Sequence, residues 1–354
     1  MSENKVQCLD CLAIGSLPHK NPDEALQLVQ KYFKSIPFWV QLTKFNKNED
    51  MRFQFLEGMS SFFLFEKMLF DKNNSDFASE YAKFLNEYQT ILTNPNNPKL
   101  EKYKISENFS STFAKFLDLI KNHKFAKTQI IGAFTQSCLI NDTNGNLAVI
   151  DEDLRNYVTK FLTLKALWQI KKIKQCGVKP IIFLDEPFLA KYKEVSSKVS
   201  ENTVFSVIKE MVDNFHNFGA IVGLHCCGEC NWGMIIETDV DILSFDAYKY
   251  GEMFAQYDNR ILKFLNKGGK IAWGIVPTVN KDALKCADLK VITKKFDEAL
   301  TYLTKKGISE KLIISNSYIS PSCGAGTLTE ELAQKAMRLT SELSEVLKER
   351  YNVD

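Results

Sequence analysis

Residues 180–226 begin with PIIFLDE (180–186) and end with AIVGLHC (220–226). Both short apolar runs predict buried strands, because they are rich in β-branched and aromatic residues. Between them, apolar residues recur at the spacing of one helical face: Val204, Ile208, Met211, Val212 and Phe215. A strand, a helix and a second strand in this order predict a βαβ unit, in which the two strands are parallel.

The same alternation of strand and helix extends along the chain. With the two strands above, eight are predicted, at 11–17, 38–42, 128–134, 180–186, 220–226, 241–247, 270–276 and 311–317. Eight strands with interposed helices predict an α/β fold of the closed (β/α)₈ type, the TIM barrel, whose chemistry gathers at the carboxyl ends of the strands. The alternative is an open doubly wound sheet, but no glycine-rich phosphate-binding turn follows the first strand.

The connection between the second and third predicted strands, residues 45–127, is far longer than a βα connection needs. Its many Phe, Leu and Tyr residues predict a folded subdomain, with helices in FQFLEGMSSFFLFEKMLF (53–70) and FASEYAKFLNEY (77–88). We therefore expect a single barrel domain over residues 1–354, with 45–127 as an inserted subdomain that covers the barrel mouth.

Composition narrows the range of partners. The 354 residues are 45% hydrophobic and carry a net charge of +2 without a long charged block, so we expect a small-molecule substrate and neither nucleic acid nor membrane. The opening residues MSENKVQCLD lack the features of a signal peptide, which predicts a cytoplasmic protein. In a reducing compartment, clustered cysteines among the nine predict metal ligands or reactive thiols rather than disulfides.

The run HCCGEC (225–230) places soft metal ligands at the end of a strand. Because side chains alternate across a strand, His225 and Cys227 project together and Cys226 points the other way. A third ligand is available in SPSCGAG after strand eight, where Cys323 follows. His225, Cys227 and Cys323 would hold zinc with one open position, which is typical of a catalytic site. The alternative is that Cys227 and Cys230 form a CxxC redox pair or half of a closed site.

Acidic residues also end two of the predicted strands. Asp185 and Glu186 follow an apolar run in LDEPFLA, where a buried carboxylate needs a partner such as a substrate amine or a transferred proton. For Glu186, a structural ion pair or a helix cap is an equal alternative. Asp246 ends strand six, near enough to the His225 loop to be a fourth zinc ligand or to orient the ligands. Ser16, beside Gly15 at the end of strand one, suits close contact with a ligand.

Five segments, in chain order, resemble the catalytic barrel of cobalamin-independent methionine synthase: IGSLPH, LDEP, HCCG, FDAY and SPSCG. They also resemble the related uroporphyrinogen decarboxylase-like superfamily, which includes zinc-dependent corrinoid methyltransferases. The resemblance implies zinc held by His225, Cys227 and Cys323, with Asp246 where the synthases carry glutamate. It also implies that Asp185 binds the amino group of homocysteine and that Ile14, Gly15 and Ser16 contact its carboxylate end.

The function that this resemblance implies is methyl transfer to a thiol such as homocysteine, as in methionine biosynthesis, with Asp185 and Asp246 as catalytic residues and Glu186 beside the substrate. The resemblance covers only the carboxyl-terminal half of the full synthases. The histidine expected after strand seven has no counterpart in WGIVPTV (273–279). Both departures argue against folate and for a methylated corrinoid, carried by a partner protein, as the methyl donor. The alternatives are a uroporphyrinogen decarboxylase-like enzyme and a non-catalytic barrel that binds a corrinoid or a thiol.

Overall fold

The protein is described here by a computed structural model, which covers residues 7–353. Its strands are β1 (Phe63–Leu64), β2 (Leu69–Phe70), β3 (Phe125–Ile131), β4 (Asn141–Asp142), β5 (Lys179–Asp185), β6 (Ile221–Cys226), β7 (Ile242–Phe245), β8 (Lys270–Val276) and β9 (Ser317–Pro321). Six of them form one parallel sheet in the order β3-β5-β6-β7-β8-β9, and the other three form a small sheet in the order β1-β2-β4. β5 and β6, which are parallel neighbours, are the two strands that the βαβ pattern predicted.

Fourteen α-helices accompany these strands in residues 7–353. They are α1 (Pro22–Tyr32), α2 (Met51–Gln54), α3 (Phe77–Leu92), α4 (Phe113–Ile120), α5 (Ala133–Leu139), α6 (Glu152–Gln175), α7 (Glu201–Asn217), α8 (Trp232–Glu237), α9 (Ala247–Phe254), α10 (Asp258–Asn266), α11 (Lys281–Cys286), α12 (Leu289–Thr304), α13 (Glu310–Ser315) and α14 (Glu330–Tyr351). Within residues 7–353, no helix is long and apolar enough to cross a membrane.

The first two predicted strands are extended segments that make isolated bridges rather than regular strands. Residues 9–17 run beside β9, where the Leu12 amide donates to the Ile319 carbonyl (2.8 Å). Residues 37–42 run beside β3, and the Gln41 amide donates to the Gly15 carbonyl (3.1 Å). These bonds connect the two edges of the six-stranded sheet through the two segments. The main sheet has six strands in the described residues. The closed eight-stranded barrel therefore stays a prediction.

A small apolar cluster fills the concave side of the sheet, apart from the larger core under the helices. Its members alternate along the strands, as side chains on one face must. They are Leu12, Ile36, Phe125, Ile181, Phe183, Ile242, Ala272 and Tyr318, all buried. The polar residues that end the strands lie above this cluster, at the carboxyl edge, because parallel strands in register end together.

Two predicted strand positions were wrong. Residues 310–315 form α13, which the Ser309 hydroxyl caps by accepting from the Leu312 amide (3.3 Å), and the strand follows as β9. A short apolar run such as LIIS fits either a helix or a strand, so periodicity alone cannot decide it. The third strand lies at Phe125–Ile131 rather than 128–134, because α5 begins at Ala133 and because Lys127 interrupts the apolar pattern at its start.

The excursion between the second and third predicted strands is folded, but not as two helices. The predicted helix 53–70 was wrong: it holds the end of α2, turns at 55–62 and the β1–β2 hairpin. The predicted helix 77–88 forms as α3. Aromatic rings of the excursion pack on α6: the Phe84 and Tyr157 ring centroids lie 4.5 Å apart, and those of Tyr103 and Phe161 5.7 Å. The excursion thus shares a core with the helical layer, and its role as a cover of the barrel mouth stays a prediction.

Candidate metal centre

Three predicted ligands from two distant loops meet at the carboxyl edge of the sheet. His225 is the next-to-last residue of β6, Cys227 follows that strand, and Cys323 lies in the loop after β9. One donor atom from each residue lies within 4.8 Å of the others. Zinc bonds of about 2.0–2.3 Å place tetrahedral donors roughly 3.5–3.8 Å apart, so the separation suits a shared ion.

The His225 ring is oriented toward this group. Its Nδ1 atom lies 3.0 Å from Ser244 Oγ on the neighbouring strand β7, while its Nε2 atom is buried without a hydrogen-bond partner in the described residues. Buried polar atoms normally have a partner, so an unpartnered ring nitrogen beside two thiols fits a metal ligand. Ser244 was not predicted, although it lies in β7 only two residues before Asp246.

The sulfurs of Cys227 and Cys323 lie close enough to shift each other's pKa. The Cys323 thiol donates a hydrogen bond to Cys227, which lowers the pKa of Cys227 well below its ordinary value, and His225 acts in the same direction. The same hydrogen bond, together with burial, raises the pKa of Cys323. The arrangement therefore stabilises one thiolate without a metal, and a cation could replace the shared proton. Thiolate is the form of cysteine that binds metals.

The backbone at Cys323 is held by Thr278, which follows β8. Thr278 Oγ1 donates to the Cys323 carbonyl (2.8 Å) and accepts from the Cys323 amide (2.9 Å). This double contact fixes a ligand loop that has no regular secondary structure. Thr278 was not predicted, because only the fold brings residue 278 beside residue 323.

Cys226 and Cys230 lie outside the group of three donors. Cys226 is fully buried on the opposite face of β6, as the alternation of the strand predicts. The Cys230 thiol contacts Cys226 rather than Cys227, and burial raises its pKa well above the ordinary value. A protonated, buried thiol is a poor nucleophile and a poor ligand, so the alternative of a Cys227–Cys230 redox pair has no support in this arrangement.

Asp185 lies at the end of β5 with one carboxylate oxygen unused. It pairs in register with His225 on β6, and its Oδ1 atom is buried without a partner among the described residues. Burial raises the pKa of Asp185, while Lys127 and His225 oppose that effect. The unused oxygen can accept a hydrogen bond from a bound molecule, which agrees with the predicted place of this residue in the site.

Glu186 points away from this group, although it is the next residue. Its carboxylate accepts from the Phe134 amide (3.1 Å), the Thr135 amide (2.8 Å) and the Thr135 hydroxyl (2.6 Å). Burial raises its pKa to about 7. This geometry is the helix cap that was the alternative to substrate binding, here at the start of α5. Both of its oxygens thus accept hydrogen bonds from α5, and this geometry gives no support to the predicted contact with a substrate.

Asp246 also caps a helix. Its carboxylate accepts from the Lys249 amide (3.0 Å) at the start of α9, and burial raises its pKa to about 6. It is not in the group of three donors found among the described residues. Cys227 and His225 still act on it electrostatically, so it lies near the cluster. Its two predicted roles, as a fourth ligand or as an orienting residue, stay predictions.

The predicted segment Ile14–Gly15–Ser16 adjoins the Cys323 loop. Ser16 Oγ accepts from the Gly326 amide (3.2 Å), and the Ser16 carbonyl accepts from the Ala325 amide (2.9 Å). The fold therefore brings this segment to the same edge as the three donors and Asp185.

One imidazole and two thiols thus meet at the carboxyl edge of a parallel sheet. Some solved structures have a partly similar backbone. A B12-independent methionine synthase from Shewanella sp. W3-18-1, in complex with selenomethionine, is 13% identical with a TM-score of 0.48 and covers 67% of each chain. A protein from Listeria monocytogenes assigned as a vitamin-B12-independent methionine synthase is 16% identical with a TM-score of 0.48, over 97% of this chain and 99% of the other.

A methyltransferase from Methanosarcina mazei is 12% identical with a TM-score of 0.43, over 70% of each chain. Comparison with protein-family models and with curated proteins gave no match. These values describe a distant similarity of the backbone, and the chemistry of this chain lies in its own side chains.

Proposed function

We propose that this protein is a zinc-dependent methyltransferase that moves a methyl group to a thiol such as homocysteine, within an eight-stranded (β/α)₈ barrel completed by segments 9–17 and 37–42. The convergence of His225, Cys227 and Cys323 carries this proposal. Three ligands leave a position for an exchangeable thiol, whereas a structural site would use four protein ligands.

Each residue near the cluster has a role that follows from its contacts. His225, Cys227 and Cys323 would hold the metal, Ser244 orients the His225 ring, and Thr278 fixes the backbone of Cys323. When bound, zinc would lower the pKa of an incoming thiol, which at about 8.5 is mostly protonated at neutral pH.

The amino-acid end of the substrate would be held by two features of the site. The unused oxygen of Asp185 would accept a hydrogen bond from the substrate amine. The segment Ile14–Gly15–Ser16, attached to the Cys323 loop, would contact the carboxylate end. Fixing both ends of the substrate aligns its sulfur with the methyl group, and such alignment lowers the entropic part of the barrier.

For the methyl donor we propose a methylated corrinoid carried by a partner protein. Support comes from the loop after β8, where WGIVPTV contains no histidine to protonate a departing folate. The donor would approach from the carboxyl edge, where Phe45 and Val279 expose apolar side chains.

The experiment compares donors with the same zinc-loaded protein and homocysteine. We expect methionine from methylcobalamin and none from methyltetrahydrofolate, and Cys286→Ser, which changes an exposed cysteine, should act like the wild type. Methionine from the folate alone would overturn the proposed donor. Zinc and homocysteine binding without methyl transfer would favour a binding protein. A chain without zinc that releases carbon dioxide from an acidic substrate would favour the decarboxylase-like alternative.

A further inference from the structure

Lys127 is a buried lysine below the candidate site. It lies on β3 with no exposed surface, on the concave face of the sheet. Its Nζ atom donates to the Ile14 carbonyl (2.5 Å) and to Gln129 Oε1 (3.2 Å), and it lies 4.7 Å from the centre of the Phe183 ring. A buried charge is costly, so a lysine in this position needs specific compensation. Burial accordingly lowers the pKa of Lys127, and Asp185 opposes that effect.

The Ile14 carbonyl, which accepts from Lys127, belongs to the Ile14–Ser16 segment that is proposed to contact the substrate carboxylate. Gly15 packs directly on the Gln129 side chain, and a Cβ atom at this position would lie 2.6 Å from Gln129 Cδ. Only glycine permits so close an approach. Gln129 in turn donates to the Trp39 carbonyl (3.1 Å), which fixes its amide. One side of the Ile14–Ser16 segment therefore contacts two polar side chains of β3, those of Lys127 and Gln129.

The other side of the segment touches the loop that carries Cys323. A Cβ atom at Gly324 would lie 2.2 Å from Ser16 Oγ, so the serine fills the space that this glycine leaves. Ser16 also accepts from the Gly326 and Ala325 amides. The segment is consequently clamped between β3 and the residues directly after Cys323.

We propose that Lys127 is a positioning residue of the site, which fixes the Ile14 carbonyl and so holds Gly15 and Ser16 in place to receive the carboxylate end of an amino-acid thiol. This inference rests on the proposed function of the segment. A charged donor suits the task because its hydrogen bonds are shorter and stronger than those of neutral donors. Replacing Lys127 should therefore weaken the binding of a thiol that carries an amino-acid group more than the binding of a thiol without one.

The test uses Lys127→Met, with Lys165→Met as the matched control. Lys165 is also a buried lysine, which donates to the Lys104 carbonyl (3.0 Å) and lies 5.5 Å from the centre of the Phe161 ring. Its carbonyl partner belongs to the excursion rather than to the Ile14–Ser16 segment. Binding is followed in cobalt-substituted protein by the absorbance of the thiolate–cobalt bond, with homocysteine and 2-mercaptoethanol as probes. We expect Lys127→Met to bind one cobalt ion and to weaken homocysteine binding at least tenfold, with 2-mercaptoethanol binding changed less than twofold. Lys165→Met should change neither.

Equal loss for both thiols would show a merely structural role and would overturn the proposal. Unchanged homocysteine binding in Lys127→Met, beside normal binding by the wild type, would overturn this inference alone. A wild type that binds cobalt but not homocysteine would overturn the proposed function and this inference together. If Lys127→Met does not fold, Lys127→Gln, which is smaller and neutral but polar, takes its place with the same expected results.

Discussion

The Nδ1 atom of His225 lies 3.0 Å from Ser244 Oγ, and the two residues are paired in register on the adjacent strands β6 and β7. The contact fixes the ring plane and leaves Nε2 facing Cys227 and Cys323. Outer partners of this kind typically set metal affinity by about 10–100-fold.

Ser244→Ala is therefore expected to keep one zinc ion per chain but to weaken zinc binding by about tenfold or more. Competition with a chromophoric chelator measures the affinity. Ser320→Ala is the control, because Ser320 is a buried serine on β9 whose hydroxyl donates to the Pro321 carbonyl rather than to a donor residue. Equal affinities in Ser244→Ala and wild type would contradict the role of Ser244.

Cys323→Ser should lose most of its zinc, because a hydroxyl replaces one of three ligands and its oxygen is a poor zinc donor at neutral pH. Zinc per chain is measured by atomic emission after dialysis. Cys286→Ser, at an exposed cysteine on α11, should retain the wild-type content. Full zinc occupancy in Cys323→Ser would remove Cys323 from the ligand set.

Asp185→Asn should raise the KM for homocysteine about tenfold or more, since the amide weakens a charge-assisted hydrogen bond to the substrate amine. The KM for 3-mercaptopropionate, which has no amine, should change little. Steady-state kinetics with both thiols provide the comparison. A similar rise for the two substrates would show that Asp185 does not select the amine.

Glu186→Ala should destabilise the fold without affecting zinc. It removes the acceptor of the buried Phe134 and Thr135 amides, and an unsatisfied buried donor costs about 1–3 kcal/mol. Urea denaturation measures the free energy of unfolding, and dialysis followed by metal analysis measures zinc. Loss of zinc with unchanged stability would contradict this prediction and would show that Glu186 acts in the metal site.

His216 should make stability depend on pH. Its Nε2 atom lies 2.8 Å from Asp241 Oδ2, and this hydrogen bond raises the pKa of His216 above the ordinary value. A raised histidine pKa stabilises the folded protein fully below the unfolded-state value of about 6.5, and this contribution is lost as the pH rises through the folded-state pKa.

His216→Gln should accordingly lower the free energy of unfolding by roughly 0.5 kcal/mol near pH 5.5, the small value reflecting solvent screening of a partly exposed pair. The difference from wild type should shrink near pH 8.5, as measured by urea denaturation of the metal-free protein. His123→Gln, at a histidine without an ion pair among the described residues, is the control. A difference that stays constant with pH would contradict the prediction.

Much of the architecture could be predicted because it depends on neighbours in the chain. The parallel strands at PIIFLDE and AIVGLHC follow from their apolar runs and the amphipathic helix between them. The shared direction of His225 and Cys227, and the opposite direction of Cys226, follow from the alternation of side chains along one strand. The strand predicted at 311–317 was wrong, because a run of three apolar residues fits the periodicity of a helix as well as that of a strand.

Local pattern thus determined the type of most elements and the face on which each ligand lies, because backbone periodicity depends on residues a few positions apart. Only the tertiary structure decided which of two adjacent carboxylates is hydrogen-bonded to a helix and which is left with an unpartnered oxygen. Asp185 keeps an unpartnered oxygen near the donors, whereas α5 occupies Glu186. The tertiary structure likewise brought Thr278 to Cys323 and Lys127 to Ile14. Such contacts join residues far apart in sequence, and they form only when packing of the sheet and its loops sets their distance.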